Sequence, residues 1–217
     1  MQRRKFLIGL GALGAGSAAA MGTGAFSSAS IPDRQLTVAI DSDDESIIAL
    51  VPGDDPDIFL SSNPGELVMD LSGDDGEGVN INSVYTWGDH DNPEDDHAFK
   101  IVNNDDQDYD DLFLGYELED DSWVDLSTTH TNESYIRFSA YGAGDPDGHW
   151  GSVKCPNNQL GTPNPVSRNM PTSGPVDFEV GQEVFVVIDV VTTGAAATTD
   201  DDLSGSLSID VAGPGGN

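Results

Sequence analysis

Residues 183–192 read EVFVVIDVVT and lie in the most regular section of the chain. Apolar residues stand at consecutive positions through the middle of this run. Strict alternation would indicate a strand with one face in water, whereas a short continuous apolar run is typical of a strand buried on both faces. A strand of this kind needs other strands beside it and further structure above and below it. We therefore expect residues 183–192 to form a fully buried β-strand.

Short apolar segments with a period of two occur along most of the remaining chain. They fall at residues 35–40, 66–71, 79–85, 98–102, 112–118, 135–141 and 206–211, with a further short run at 47–51. This period is the pattern of a half-buried strand, and turn residues separate the segments. No long window has the i, i+3, i+4 recurrence of a helix. About ten short strands predict an all-β, antiparallel, jelly-roll-like sandwich, since two facing sheets bury a sufficient core.

The composition shifts divide the 217 residues into four parts. Residues 1–25 have the pattern of an export signal, residues 26–34 form an N-terminal arm, and residues 35–213 carry the predicted sandwich. Residues 214–217 are a Gly/Pro tail. Within the sandwich, residues 142–175 are rich in Gly, Pro and Asn, and we interpret them as a long loop excursion with at most one short hairpin.

A basic cluster followed by an apolar run opens the chain. The residues of the cluster and its junction are Arg3, Arg4, Lys5, Phe6 and Leu7, and an uncharged run rich in Gly and Ala follows up to Met21. This order is typical of a cleavable signal, and the paired arginines resemble a twin-arginine signal. The run of about 16 residues is shorter than the roughly 20 needed to span a bilayer. We expect recognition by export machinery and an extracellular or cell-surface location, with an uncut anchor as the alternative.

The charge is strongly one-sided. Eight Lys and Arg stand against 39 Asp and Glu, a net charge of −31. Three of the eight basic residues lie in the signal, so the exported part carries 5 − 39 = −34. Such repulsion loosens a compact state in ordinary salt but is screened in molar salt, where the Debye length is about 3 Å. The pattern predicts a protein of a salt-saturated habitat. It argues against nucleic acid and anionic lipid as partners, since both require basic patches.

The acidic loop at residues 103–111 is the strongest candidate for a metal site. Asp106, Asp108 and Asp110 match positions 1, 3 and 5 of a calcium loop, and Glu117 matches position 12. Asp111 stands where the sharp turn needs Gly, and a strand rather than a helix follows. A bound cation such as calcium and a solvated acidic loop both remain open. His90 and His97 flank a second acidic cluster that could bind zinc or simply face solvent.

The sequence offers little for catalysis. It contains no nucleophile elbow, no Gly-rich phosphate loop and no metalloprotease helix motif. Paired carboxylates could serve glycoside hydrolysis, but 39 acids make such pairs common by chance. We therefore expect no enzyme activity and no required cofactor. Asn132 opens an Asn-Glu-Ser glycosylation sequon, which is either modified or plain loop, and the single cysteine, Cys155, cannot form an internal disulfide.

The junction after the signal holds the remaining candidate site. It consists of Phe26, Ser27, Ser28, Ala29, Ser30 and Ile31. Cleavage near Ala20 or Ala25 would leave this stretch as an arm ahead of the first strand. An arm of this kind is either spare or adds itself as a strand to the sheet edge of a neighbouring copy. Head-to-tail addition that does not close produces a filament.

Three groups of residues carry a family resemblance. They are GTGAFSS at 22–28 before the strand at 36–40, FKIVNN at 99–104 before LFL at 112–114, and FEVGQ at 178–182 before VFV at 184–186. In this order they resemble haloarchaeal secreted proteins of unassigned function and the wider TasA/camelysin-like group of extracellular filament subunits. The resemblance implies a jelly-roll-like sandwich that polymerises by donating its N-terminal segment, with residues Phe26 to Ile31 in the donor.

Two further classes of function remain open beside the filament subunit. One is a monomeric secreted module that binds a cation or a polysaccharide, and the other is a secreted hydrolase. Self-association with other copies is the partner expected of the filament subunit, and no membrane is expected once the signal is removed. Deletion of residues 26–31 separates the first two classes, because only a filament subunit should lose assembly.

Overall fold

The computed structural model describes residues 45–62, 65–71, 79–125, 133–143, 148–157 and 178–213, together with the backbone of residues 166–170. The predicted signal, the N-terminal arm, the predicted strand at 35–40, Asn132 and the tail at 214–217 lie outside the described residues. The described part contains β-strands and no helix, which confirms the all-β prediction. No helix among these residues is therefore long and apolar enough to cross a membrane.

Eleven strands follow one another along the described chain. They are β1 (Ile48–Pro52), β2 (Ile58–Leu60), β3 (Leu67–Met69), β4 (Val84–Trp87), β5 (Phe99–Asn103), β6 (Asp111–Leu118), β7 (Tyr135–Gly142), β8 (His149–Cys155), β9 (Val166–Met170), β10 (Glu183–Val191) and β11 (Gly205–Ala212). All the pairings between them are antiparallel, as the short connections and the alternating patterns predict.

The largest sheet is built around β10. Its order is β1-β5-β10-β7-β8, and β4 also pairs with β10. Strand β7 runs along one edge of β10, while the other edge is shared, with β5 beside its first half and β4 beside its second half. A second sheet has the order β11-β6-β9, and β2 pairs with β3 separately. The most regular run of the sequence is thus the strand with the most neighbours.

Strand β10 is buried on both faces, as the sequence predicts. Val184, Val186 and Ile188 point to one face and are fully buried in the main hydrophobic core. Phe185, Val187 and Asp189 alternate with them and are buried on the opposite face of the sheet. We call this second face the outer face. Because both faces of β10 are covered, one side must be covered by the second sheet and the other by a connecting segment.

The main core lies between the large sheet and the sheet β11-β6-β9. Leu112 and Leu114 of β6 are fully buried in the same cluster as Phe99, Ile101 and Phe138 of the large sheet. The ring of Tyr116 on β6 lies 5.0 Å from that of Phe138 on β7, measured between centroids. The two sheets therefore pack face to face in a sandwich-like arrangement, with alternate side chains of each filling the space between them.

The span interpreted as a loop excursion, residues 142–175, contains two strands. Strand β8 extends the large sheet beside β7, and β9 extends the smaller sheet beside β6. The two strands belong to different sheets, so they do not form the one short hairpin that the sequence analysis allowed in this span. Strand β8 reads HWGSVKC, in which Gly151 and Ser152 interrupt the apolar alternation. Small residues weaken the pattern although they fit easily beside a neighbouring strand.

Two other boundaries differ from the prediction. Residues 79–83 were expected to belong to a strand that continues to residue 85, but only Val84–Trp87 pairs with β10. Asn82 has a positive φ of 59°, which ends the extended backbone before that strand. Strand β2 was not predicted, because its three residues are too few to establish a period of two.

Gly53 marks a close approach between the end of β1 and the segment before β5. Its N–H donates to the carbonyl oxygen of Ala98 at 2.8 Å. A Cβ atom at this position would overlap the carbonyl oxygen of His97, which is backbone and has little freedom to move. Only a residue without a side chain fits here.

We expect Gly53→Ala to lower the free energy of unfolding by about 1–3 kcal/mol, because the added methyl group overpacks against the backbone. Gly213→Ala is the matched control, since a Cβ atom there meets nothing within 4 Å. Chemical denaturation in molar salt measures both. Equal stability of the two variants would contradict the close approach.

Candidate functional site

An open cleft lies over the inner face of the large sheet, beside β11. Its floor is formed by Ile136 and Phe138 of β7 and Val190 of β10. One wall comes from β1 and β3, and the other from β11 and the segment that precedes it. The volume is about 1210 Å³. The smaller sheet therefore does not cover the whole inner face of the larger one.

The walls of the cleft carry many half-buried apolar side chains, with the exposed carboxylates of Glu66, Asp70 and Asp202 along their rims. The apolar side chains along them include Ile48, Leu50, Leu67, Met69, Leu207 and Ile209. Each of these packs on the main core on one side and borders the cleft on the other. When a further apolar segment covers half-buried apolar side chains, the free energy falls by roughly 25 cal/mol for each Å² of apolar surface removed from water. The cleft has the chemistry of a site for an extended apolar segment.

Strand β11 presents a free edge to the cleft. It pairs with β6 along one edge, from Gly205 to Ala212, and no described strand pairs with its other edge. Leu207 and Ile209 border the cleft, while Ser206 and Ser208 alternate with them and are exposed. A free edge carries unpaired backbone N–H and C=O groups and can accept another strand. An added strand here would extend the smaller sheet across the cleft.

Polar groups occur at the end of the cleft nearest β7. Ser134 is buried, and its hydroxyl makes no hydrogen bond with any described residue. Asp201 and Thr198 border the same end, where the carboxylate of Asp201 accepts a hydrogen bond from the Thr198 hydroxyl at 2.8 Å. An unsatisfied buried hydroxyl costs about 1–3 kcal/mol. Ser134 is therefore a position at which a bound segment could add a hydrogen bond.

The residues predicted as export signal and donor arm cannot be placed. Arg3, Arg4, Lys5, Phe6 and Leu7 lie outside the described residues. The same is true of Phe26, Ser27, Ser28, Ala29, Ser30 and Ile31, and of the possible glycosylation site Asn132. The acidic loop is described in full, so its geometry can be compared with the calcium pattern.

The acidic loop is held by hydrogen bonds within the protein. Asn103 is buried, and its Nδ2 donates to the carbonyl oxygens of Gln107 and Phe178 at 3.0 and 2.8 Å. The Tyr109 hydroxyl donates to Asp105, and this hydrogen bond is the main cause that lowers the pKa of Asp105. Within the described chain no group of three or more His, Cys, Asp or Glu side chains is placed to hold a metal ion. Asp106, Asp108, Asp110 and Glu117 are thus not gathered into one site, and Asp108 instead accepts a hydrogen bond from the N–H of Val180 at 2.8 Å.

A polar cluster on the outer face is the second feature of interest. Asp189 is 3% exposed, and its carboxylate accepts hydrogen bonds from Arg137 Nη2 and Nε at 2.8 and 3.0 Å. The Thr86 hydroxyl donates to it at 2.9 Å, and His90 Nε2 lies 3.0 Å from Oδ2. Burial alone would raise the pKa of Asp189, but the hydrogen bonds from Arg137, His90 and Thr86 outweigh burial and lower it. Asp189 is therefore an ionised carboxylate inside the sheet face.

His90 and His97 lie on the segment before β5, but they do not bind one site together. His90 Nδ1 lies 2.6 Å from the hydroxyl of Tyr141, and its other nitrogen faces Asp189. His97 packs against the ring of Phe185 at 5.0 Å between centroids, and burial lowers the pKa of its imidazole. The segment thereby covers the outer face of β10. The histidines suggested by the sequence as possible zinc ligands are used here for packing and hydrogen bonding.

Cys155 lies at the end of β8 inside the main core. The residue is fully buried, and burial raises the pKa of its thiol to about 12. A thiol with so high a pKa has almost no thiolate at neutral pH and is unreactive. The structure thus gives an inert packing role to the single cysteine.

Asp189→Asn should lower the free energy of unfolding by about 3 kcal/mol at pH 7, because Arg137 and His90 lose their buried charged partner. The pKa of Asp189 is lowered in the folded protein, so its contribution is present above the ordinary carboxyl pKa of about 3.9 and is lost as the pH falls through the lowered value. The difference from the unaltered protein should therefore shrink below about pH 3.9.

The matched control is Asp210→Asn on the exposed side of β11, which should change stability by less than about 0.5 kcal/mol at either pH. Denaturation curves at pH 7 and pH 3 provide the measurement. A loss in Asp189→Asn that is equal at both pH values would show that packing, not charge, is responsible.

The comparisons with known proteins return no similar protein. No family model matches the chain, and neither the curated proteins nor the solved structures contain a detectable match. The cleft beside β11 and the polar cluster around Asp189 are thus the features from which a function can be inferred.

Proposed function

We propose that the chain is an exported structural protein, a subunit of an extracellular filament or matrix that assembles by N-terminal strand donation. In this proposal the fold is a jelly-roll-like sandwich with one strand position left for a neighbouring copy. The observation that carries the proposal is the apolar cleft beside the free edge of β11. The predicted donor arm, Phe26 to Ile31, would occupy the cleft of the next copy together with the strand predicted at residues 35–40, so the proposal extends the donor beyond the arm and takes residues 35–40 out of the sandwich of their own copy.

The donor segment has the pattern that the cleft requires. Residues 35–40 read QLTVAI, so Leu36, Val38 and Ile40 point to one face of an extended strand. Burial of each of these side chains is worth about 1.5–3 kcal/mol. The leading arm, Phe26 to Ile31, is less apolar and carries three serines that can hydrogen-bond at the polar end near Ser134. The backbone of the donor would pair with β11.

The lengths are compatible with donation between copies. A six-residue strand is about 20 Å long, and the eight residues of β11 span about 27 Å. Residues 41–47 separate the donor from β1 and can extend to about 23 Å. Such a connection lets one copy reach its neighbour while its own cleft stays available. Head-to-tail contacts of this kind continue without closing.

The charge sets the conditions for assembly. Copies with a net charge of −34 repel one another strongly at low ionic strength. Molar salt shortens the Debye length to about 3 Å and also strengthens apolar burial when the anion is strongly hydrated. Self-association should therefore be tested in molar salt. The contribution of main-chain hydrogen bonds to the proposed contact is the part least sensitive to ionic strength.

The first test is electron microscopy of the mature protein in molar salt, with mass spectrometry of its N-terminus. We expect filaments from chains that begin near Phe26. Val38→Asp should weaken association about 100-fold or more, because a carboxylate would enter the apolar cleft. Thr37→Asp is the matched control, since it adds the same charge on the other face of the same strand.

The acceptor is tested by Ile209→Lys, which places a charge in the cleft, against Ser208→Lys, which places it on the exposed face of the same strand. Only Ile209→Lys should abolish filaments. A chain that lacks residues 26–40 keeps its cleft, and Ile209→Lys keeps its donor. Each alone should be monomeric, and an equal mixture should form one-to-one pairs.

Two results would contradict the proposal. Single particles at high concentration with an intact N-terminal segment would exclude self-assembly and favour a monomeric binding module. Pairs in the mixture that survive Val38→Asp in the donor would show that the copies associate through another surface. Loss of assembly on deletion of residues 26–31 alone, with no effect of Val38→Asp, would assign donation to the leading arm.

A further inference from the structure

The hydroxyl of Tyr141 faces an imidazole, which distinguishes Tyr141 from the other tyrosines of the described chain. The hydroxyl lies 2.6 Å from Nδ1 of His90, and Nε2 of the same imidazole lies 3.0 Å from the buried carboxylate of Asp189. An ionised carboxylate at Nε2 fixes the proton on that nitrogen, which leaves Nδ1 as an acceptor for the phenolic proton. Carboxylate, imidazole and phenol thus form one chain of hydrogen bonds.

The chain of hydrogen bonds is held in place from both sides. Arg137 and Thr86 donate to the carboxylate of Asp189 and fix its orientation. The ring of His149 lies 5.3 Å from that of Tyr141, measured between centroids, and packs against it. Tyr141 and His90 are both half-buried, so the phenol lies near the surface while its hydroxyl faces the imidazole. Proton transfer at this distance requires no movement of the backbone.

Tyr109 is the nearest comparison, because its hydroxyl also faces a possible base. Its partner is the carboxylate of Asp105, whose pKa is lowered chiefly by that hydrogen bond. A carboxylate with a pKa below its usual value of about 3.9 is a much weaker proton acceptor than an imidazole, for which about 6.5 is usual. Tyr109 is also buried.

The hydroxyls of the remaining three tyrosines contact no carboxylate or imidazole in the part of the chain that the structure describes. The hydroxyl of Tyr116 donates to the carbonyl oxygen of Leu203 at 2.8 Å and is buried. The hydroxyl of Tyr85 accepts a hydrogen bond from Asn80 at 2.9 Å. The ring of Tyr135 lies under the ammonium group of Lys154 at 3.9 Å, and a cation over the ring opposes removal of an electron.

We propose that Tyr141 is the site at which a diffusible one-electron oxidant oxidises this protein, with His90 as the proton acceptor. The oxidant takes one electron from the phenol and is itself reduced by one electron. The O–H bond of Tyr141 breaks as an N–H bond forms at Nδ1 of His90. The products are a neutral tyrosyl radical and an imidazolium ion paired with the carboxylate of Asp189. The reaction is independent of filament assembly.

The Asp189 carboxylate is the positioning residue of this reaction. It stabilises the imidazolium that forms, as a buried carboxylate does beside a histidine base. The charged and titratable groups around His90 on every packed element are Asp189 on β10, Arg137 and Tyr141 on β7, His149 on β8, and Asp89 and Asp91 beside it in sequence. Arg137 is bound to Asp189 and does not supply a competing base.

The experiment uses the full folded chain in molar salt. A short light pulse on tris(bipyridine)ruthenium with persulfate generates the oxidant, and mass spectrometry then maps oxidised tyrosines. We expect Tyr141 to be oxidised about tenfold faster or more than Tyr85 or Tyr135, which are half-buried as well. His90→Gln keeps a hydrogen-bonding group near Asp189 but removes the basic nitrogen, and it should abolish this preference.

His97→Gln is the matched control, because His97 lies on the same segment and does not contact a tyrosine hydroxyl among the described residues. It should leave the oxidation of Tyr141 unchanged. If His90→Gln fails to fold, as judged by circular dichroism, the unaltered protein still decides the matter. Its Tyr141 should still be oxidised about tenfold faster than its Tyr85 and Tyr135, and His97→Gln should leave that ratio unchanged.

Oxidation that follows exposure alone, with Tyr85, Tyr135 and Tyr141 modified at similar rates, would overturn the proposal. So would a preference for Tyr141 that persists in folded His90→Gln. Electron paramagnetic resonance of a frozen sample after the pulse gives an independent measurement. Its tyrosyl signal should be lost in Tyr141→Phe and retained in Tyr135→Phe.

Discussion

The burial of β10 on both faces is the constraint on which the rest of the structure depends. Its inner face, with Val184 and Ile188, requires a second sheet to complete the core. Its outer face, with Phe185 and Val187, is covered by the segment before β5, whose His90 and His97 lie on the sheet. A strand with one face in water would need only the first of these two covers. The same constraint forces Asp189, which alternates onto the outer face, to find hydrogen-bond partners there.

The two sheets differ in width, and the cleft follows from that difference. The inner face of the large sheet extends past β11, so Ile48 and Leu50 of β1 are only partly covered. A folded domain normally closes such a gap with one of its own strands or presents it to a partner. The free edge of β11 supplies backbone groups in the same place. The cleft has room for one more strand, and the edge of β11 can pair with one. Both features therefore favour an extended segment as the occupant of the cleft.

Much of the fold follows from the period of two, and most of the candidate site does not. Strands β5, β6, β7 and β11 coincide with predicted segments because each has branched or aromatic residues in alternation, whereas β1 and β10 coincide with the short run at 47–51 and the continuous apolar run at 183–192. Strand β8 was missed because Gly151 and Ser152 dilute its pattern, and β2 because three residues carry no period. The link between His90, Tyr141 and Asp189 joins positions 51 and 99 residues apart. Its only local signal is Asp189, a carboxylate inside an otherwise apolar run.

Basic residues are scarce in this chain, and one of them pairs with its buried carboxylate. Asp189 is the one carboxylate buried among the described residues, and it is bound by Arg137, one of five basic residues left after the predicted signal. Exposed acids gain little from such pairing, and in molar salt their mutual repulsion is already screened. Because Asp189 is buried, its contact with the partly exposed Arg137 is screened less by salt than a contact between two exposed charges. The chain therefore combines a strongly acidic surface, whose repulsion molar salt would screen, with a polar cluster centred on one buried carboxylate, which holds an imidazole and a phenol in fixed positions.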